Sequence, residues 1–441
     1  MKAEPKLSRE YLTQFVPAEV WLAAQYAYYG GWFEITCHGH IPGETYEYDI
    51  NSAYPFAISR LPCLEHGSWK HSVVAGRYQN AGTSRMRLLH CSLLGRSRYL
   101  GSGLHRSANG NISRPHRTSG WYWEAEIQAA YQAGLIDQCD ISESWEYDGK
   151  CGHRPLSQLA NLYTYRLSVG KNSPQGKAAK LVYNSVYGKF AQSVGSPMFG
   201  NSIYASLITS MCRTQILIAI ASHTGNGMQP GNRGQASAVV MVATDAVYFT
   251  SPHGSLPISD SLGHWDSKVK YNLTLFKPGV YWDDETREAI RSGNDPVFKS
   301  RGISAAAFGR RIRQVDEMFD QWNCDAGPDH GRNAKKWPTV SFPAGFAMVS
   351  ARQANARGKW ETAGAVSQDV PVTQNSDPVT KRRGLYRDGK LWRSSPWPDH
   401  AYGSGNYEST PYDRRFGQDK EEYGITDDGP VIDLISAAVI G

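Results

Sequence analysis

Apolar residues recur along this chain with several distinct periods, and each period predicts an element. Residues 1–30 carry a partly amphipathic helical pattern that ends in an aromatic turn, Tyr28-Tyr29-Gly30-Gly31. YEYDI, residues 46–50, predicts a short strand. Residues 100–120 are rich in Gly, Ser and basic residues and predict a loop, a mobile one. WYWEAEIQAAYQAG, 121–134, restarts as a helix and stops at Gly134. The clearest helix runs from Ser173 to Phe190, with Ser173 suited to the N-cap and Pro174 to the first helical position. At about 100° per residue, Ala179, Val182, Val186 and Phe190 form its apolar face, and Lys177, Lys180, Asn184 and Tyr187 fall opposite. A second, apolar helix covers 202–222, and a Gly/Pro/Asn loop at 224–236 leads into AVVMV-ATDA-VYFT, a β-hairpin with Asp245 near its tip. Beyond 305 the pattern is mixed, and the last 70 residues predict weak regular structure. There are no internal repeats.

Composition narrows the classes. With 441 residues, and roughly 100–200 per domain, about two to four units are expected. No apolar run approaches the roughly 20 residues that cross a bilayer, and MKAEPKLSREYLTQFVPAEV lacks the apolar core of a secretory signal. The expectation is a protein that stays in the cytoplasm where it is made, without a membrane partner. Seven cysteines, at 37, 63, 91, 139, 151, 212 and 324, contain no CxxC pair and predict reduced thiols, with neither a disulfide framework nor a zinc site. The net charge of +6 is unevenly spread. Between Glu65 and Glu124 there is no acidic residue, while Lys70, Arg77, Arg85, Arg87, Arg96, Arg98, Arg106, Arg114 and Arg117 fall in that stretch. Charge of one sign repels itself unless a polyanion lies against it, so this segment is expected along nucleic-acid phosphate; a merely solubilising loop is the alternative.

Three short motifs carry candidate chemistry. In Asp49-Ile50-Asn51-Ser52-Ala53-Tyr54-Pro55 a carboxylate ends a strand and a tyrosine follows five positions later. Two-ion phosphoryl transfer needs carboxylates on rigid strand ends, because the ions sit about 3.5–4 Å apart; an aspartate there also suits a helix cap. In Lys180-Leu-Val-Tyr-Asn184-Ser185-Val-Tyr187-Gly188-Lys189 a cation, an amide and a phenol share one helix face, and Gly188 permits close backbone approach. In Ala243-Thr244-Asp245-Ala246 an aspartate sits at a turn between apolar strands, and it is a metal ligand only if it meets Asp49 in space.

Together these resemble motifs A (DxxSxYP), B (KxxxNSxYG) and C (a turn normally reading DTDS) of family B DNA polymerases, in that order, with about 130 and 60 residues between them. Tyr28-Tyr29-Gly30-Gly31 resembles the YxGG element of phage members, and Ile208-Thr209 with Arg213 resembles the helix after motif B. Lys277 to Tyr281 and Lys299-Ser-Arg301-Gly302 resemble the basic elements that hold the primer strand. The resemblance covers roughly residues 20–310, and Trp360 to Arg383 more loosely as a thumb.

The resemblance implies an α+β right-hand polymerase: a palm with an antiparallel sheet, helical fingers and a thumb. The expected division is an N-terminal segment at 1–48, palm with a basic insertion at 49–150, fingers at 151–190, palm again at 191–304, and thumb and tail at 305–441. Asp49 and Asp245, with the Ile50 carbonyl, would bind two magnesium ions, for which manganese can substitute. One ion would activate the primer 3′-hydroxyl and the other would hold the triphosphate. Arg166 and Lys180, helped by Lys171 and Lys177, would bind the triphosphate; Tyr54 would stack under the deoxyribose and exclude a 2′-hydroxyl; Asn184, Tyr187 and Gly188 would face the nascent base pair. Tyr28, Gly30, Gly31, Lys277, Tyr281, Lys299, Arg301, Lys381 and Arg382 are the implied DNA contacts. Implied partners are primer–template DNA, deoxynucleoside triphosphates, and an exonuclease, primase or terminal protein acting separately in the cytoplasm of a phage host.

Two departures qualify this. Ala243 stands where the first Asp of DTDS lies and Ala246 replaces its Ser, which implies weaker metal affinity or a changed metal preference. Only 48 residues precede motif A, too few for the family's 3′–5′ exonuclease. The dozen or so residues between motif B and the next helix leave no room for a long hairpin of protein-primed members, while 71–120 could hold their other insertion, so the priming mode stays open. The alternatives are a catalytically silent homologue that binds primed or single-stranded DNA, and a primase-like polymerase.

Overall fold

The computed structural model describes residues 5–79, 86–95, 97–107, 110, 112–192, 197–223, 235–301, 303–325, 337–348, 355, 358–359, 361, 366–376, 382–398 and 409–410. Its centre is an antiparallel sheet whose strands run in the order Phe33–Ile35, Val239–Ala243, Ala246–Phe249, Cys37–Ile50, Trp265–Lys277, Val280–Trp282 and Lys299–Ser300. The two hairpin strands are apolar at nearly every position because both faces of the sheet are covered. Val242, Val247 and Phe249 point into one core, with Tyr48, Trp265, Ile216 and Ile220. Met241 and Tyr248 point into the other, with Ile41, Leu273 and Tyr281. The period-2 alternation of strands thus divides one hairpin between two layers.

Helix Ser202–Ser222 lies over the first of these faces and packs along Glu124–Gln132. Its 21 residues are long and apolar enough to cross a membrane, contrary to the expectation that no run approaches that length. The helix is instead mostly buried inside the protein, and at its middle Arg213 pairs with Glu126. A second sheet, ordered Gly67–Arg77, Gln138–Gly149, Met86–Leu94 and Arg117–Trp123, holds the segment that follows motif A. The chain is therefore α+β with antiparallel sheets, as expected.

Several local expectations are corrected. The described residues of the 100–120 segment are packed among their neighbours. A side chain at Gly101 would place its first carbon 1.9 Å from the Arg114 carbonyl oxygen, and Ser102 N donates to Pro115 O at 2.8 Å. Its glycines allow close packing, not looseness. The helix expected at 121–134 begins only at Glu124, because Trp121 to Trp123 complete a strand paired with Met86–Leu94. The C-terminal region holds a hairpin, Arg382–Asp388 with Leu391–Pro396, whose second strand joins the central sheet by pairing Trp392 with His38 and Arg393 with Cys37. Finally, Cys63 and Cys151 are not scattered thiols, since sheet pairing brings both beside His66. The loop expected at 224–236 and residue Trp360 lie largely outside the described residues.

Candidate active site

Strand Cys37–Ile50 carries Asp49 next to its C-terminal end, and the hairpin brings Asp245 beside it. Asp49 is paired in register with Ala246, the residue after Asp245, and Ile50 N donates to the Asp245 carbonyl at 2.9 Å. Motifs A and C therefore meet through backbone pairing. Thr244 adopts φ 66° at the hairpin tip and Ser52 φ 54° just after Asp49, a left-handed conformation costing non-glycine residues on the order of 1–3 kcal/mol each. The surroundings hold that geometry: Thr244 N donates to Trp32 O at 2.8 Å, and Cys212 Sγ donates to Thr244 O at 3.4 Å.

Electrostatically the pair is poised for a cation. Burial, and then the neighbouring carboxylates of Asp245 and Glu47, push the Asp49 carboxyl up to about 7. Asp245 is also raised by burial, against the opposing pull of a backbone N–H, Lys299 and Lys180. Asp49 Oδ1 is buried and has no hydrogen-bond donor among the described residues. Two partly buried carboxylates side by side, one with an orphaned oxygen, fit divalent cations with oxygen-ligand preference.

Tyr54 follows on the short helix Ala53–Ser59, its ring 4.6 Å from that of Tyr187, and Tyr187 Oη shares a 2.7 Å hydrogen bond with Tyr28 Oη. Tyr28, Tyr54 and Tyr187 thus form one phenol cluster drawn from the YxGG element, motif A and motif B. Gly31 explains its own conservative size: a Cβ there would lie 2.7 Å from Thr244 Cγ2 and 3.3 Å from Tyr54 Oη. Gly30, at φ +72°, offers its carbonyl to Arg213.

The motif B helix spans Pro174–Ala191, with Ser173 capping Gly176 N at 2.9 Å. Its packed face is rotated from the expected one. Gly176, Ala179, Tyr183 and Phe190 are buried, whereas Val182 is 52% exposed. Tyr183 prevails over Val182 because its hydroxyl finds Ser52 Oγ and Arg166 Nη1, each at 3.3 Å. Lys177, Lys180, Asn184 and Gly188 stay exposed, as expected of that side, and a Cβ at Gly188 would meet nothing within 4 Å. Arg166 Nε is buried without an acceptor, an open donor on the neighbouring helix Leu159–Ser168. Lys171 is ion-paired with Asp260.

The implied DNA contacts divide. Lys299 is exposed and bears electrostatically on both aspartates. Arg301 is exposed and reaches over the Phe33 ring, 5.1 Å from its centroid. Lys277 bonds Gln374 Oε1, and burial lowers its pKa. Tyr281 is corrected: it is 6% exposed and shares its proton with Tyr248 Oη at 2.7 Å, which donates to Glu47. Arg382 is corrected likewise, buried against Glu34, Ser394 and the Tyr99 carbonyl. Lys381 lies outside the described residues.

The acid-free basic stretch is corrected in part, while Lys70, Arg98 and Arg117 stay exposed. Arg106 and Arg114 are buried, Arg114 donating to Gly101 O at 3.0 Å and Ser102 O at 3.1 Å. Arg87 makes a two-pronged pair with Glu124, and Arg77 faces Asp140 at 3.7 Å. Acids beyond the stretch in sequence are its neighbours in space. Sequence reasoning also missed Glu126, which accepts from Arg213 Nε at 2.8 Å and Nη2 at 2.7 Å and so anchors the YxGG turn. Its only signal was an acid inside a helix otherwise apolar on that side.

Three motifs in the order A, B, C on this α+β framework resemble the arrangement of phage-type family B DNA polymerases. No protein-family profile matches the chain. Over 283 residues it is 28% identical to the DNA polymerase of Acidianus bottle-shaped virus (isolate Italy/Pozzuoli), covering 62% of this chain and 40% of that polymerase. The chain thus spans well under two thirds of its viral relative. Among solved structures, phi29 DNA polymerase in an orthorhombic crystal form shares 15% identity at a TM-score of 0.46, covering 62% of this chain and 52% of that one. Phi29 DNA polymerase with primer–template DNA and incoming nucleotides gives 15% identity, a TM-score of 0.44, and coverage of 63% and 53%.

Proposed function

We propose that this chain is a template-directed DNA polymerase, extending a primer 3′-hydroxyl with deoxynucleotides at the Asp49–Asp245 site, with the central sheet as palm and the Leu159–Ala191 region as fingers. The observation that carries the proposal is the registered meeting of Asp49 and Asp245, with a buried Asp49 oxygen that no donor among the described residues satisfies. When bound there, two magnesium ions supply the charge that lowers the pKa of the primer hydroxyl and neutralises the triphosphate, and manganese can replace them. Lys180 and Arg166 orient the triphosphate, Lys171 after release from Asp260. Tyr54 lies beneath the incoming sugar, held by Tyr187 and Tyr28. Asn184, Tyr187 and Gly188 face the forming base pair, where the open space at Gly188 leaves room for a ligand. Lys299 and Arg301 hold the primer backbone, and the enzyme acts on DNA in the host cytoplasm.

Ala243 and Ala246 favour one rival, a homologue that binds primed DNA without extending it. Incubation with a labelled primer–template and deoxynucleotides, with and without magnesium, separates the two. Metal-dependent extension supports the polymerase; stable DNA binding with no extension in magnesium or manganese supports the rival.

A further inference from the structure

Three ligand-type side chains, two from one loop and one from 85 residues after the nearer of them, converge at the root of the second sheet. Cys63 and His66 lie between helix Ala53–Ser59 and strand Gly67–Arg77, and Cys151 follows strand Gln138–Gly149. Gly67 pairs with Gly149, and Lys150 N donates to His66 O at 2.8 Å, so strand pairing fixes the two loops together. His66 Nδ1 lies 3.5 Å from Cys63 Sγ and 3.7 Å from Cys151 Sγ, and all three donor atoms fall within 4.8 Å of one another.

Those separations are the edges of a coordination polyhedron. A tetrahedral zinc ion, with bonds of about 2.3 Å to sulfur and about 2.0 Å to nitrogen, sets neighbouring S and N ligands about 3.5 Å apart. The other imidazole nitrogen, Nε2, faces Glu65 Oε1 at 3.7 Å, the place of the carboxylate that commonly stands behind a metal-binding histidine. His153, two residues past Cys151, lines the same cleft as Cys63, Glu65 and His66.

We propose that Cys63, His66 and Cys151 bind one zinc ion, with His153 as the fourth ligand. Thiolate and imidazole donors select zinc over the oxygen-preferring magnesium of the aspartate site. Both thiols lose their protons to solvent on binding, while the imidazole binds neutral through Nδ1 and keeps its proton on Nε2, toward Glu65. The ion would clamp three parts together. The Pro62 carbonyl accepts from Tyr204 on the long helix at 2.8 Å, the Cys63 carbonyl accepts from Tyr147, and the chain beyond Cys151 runs into the helix that carries Arg166.

The test uses the full chain, purified under reducing conditions without chelator, with zinc measured by elemental analysis. One zinc per chain is expected, together with the visible ligand-field and thiolate charge-transfer bands of a tetrahedral site after cobalt exchange. Cys151→Ser and His66→Ala should lose the stoichiometric zinc, Asp49→Asn should keep it, and His153→Ala should bind more weakly. A strong chelator should lower the melting temperature of the wild type and leave Cys151→Ser unmoved. The site is overturned if the wild type takes up neither zinc nor cobalt, or if Cys151→Ser binds zinc as tightly as the wild type.

Discussion

Asp49 sits where two demands oppose each other, since burial and its acidic neighbours disfavour its charge while the proposed metal binding would require it. With its carboxyl raised to about 7, the folded chain holds a proton that the unfolded chain gives up in the ordinary carboxylate range. For a raised acid, stability is greatest at low pH and falls as pH climbs from the unfolded value through about 7. The chain stripped of divalent ions should therefore melt lower at about pH 8 than at about pH 5, as far as this group contributes. Asn at position 49 should flatten that slope, and melting curves in chelator check it. Magnesium affinity should rise over the same interval. Tyr54 offers a second residue-scale test. A 2′-hydroxyl pressed into its ring face meets overpacking of about 1–3 kcal/mol and a lost hydration of roughly 1–3 kcal/mol. That gives discrimination of about a hundredfold or more, at a factor of ten per 1.4 kcal/mol. Tyr54→Val should raise kcat/KM for ribonucleotides far more than it alters that for deoxynucleotides. Equal losses on both substrates, with a lower Tm, would mean that Tyr54 serves only the cluster with Tyr187.

Between elements, the buried Arg213–Glu126 pair joins the long helix, helix Glu124–Gln132 and the YxGG turn, its side chains 1% and 4% exposed. Removing one partner strands the other charge, which typically costs about 3–5 kcal/mol. Glu126→Gln should lower Tm sharply, and a double variant replacing both partners with apolar residues should recover much of it. What was legible in the sequence follows the range of the interaction. The Ser173–Pro174 helix start and the Asp245 hairpin are written in neighbouring residues, and both lie where expected. The packed face of the motif B helix was misjudged by one position because a tyrosine with two hydroxyl partners outcompetes a valine, which periodicity does not weigh. Part of the basic stretch misled because a count along the chain does not show that folding sets Glu124 against Arg87 and Asp140 beside Arg77. The pairing of Arg393 with Cys37 and the convergence of Cys63 with Cys151 span too much chain for any local pattern to reveal.

For the whole molecule, the distribution of cations predicts how the proposed DNA substrate would be held. Neutralising exposed Lys299 or Arg301 should each reduce the slope of log K against log salt by roughly one, the signature of a lost phosphate contact. Neutralising buried Arg106 or Arg114 should lower Tm and leave the slope of the surviving folded protein unchanged. Salt titrations of DNA binding distinguish the two sets. With a mismatched primer and no nucleotides, the chain should leave the 3′ end intact, and magnesium-dependent shortening would reveal a nuclease site among its residues. The most direct test of the central claim is primer extension by Asp49→Asn and Asp245→Asn beside the wild type, with primer–template affinity measured on the same preparations. Each variant should lose nearly all extension while keeping DNA affinity, which rests on the basic residues; near-normal extension by either variant would contradict the assignment of Asp49 and Asp245 as the paired metal ligands.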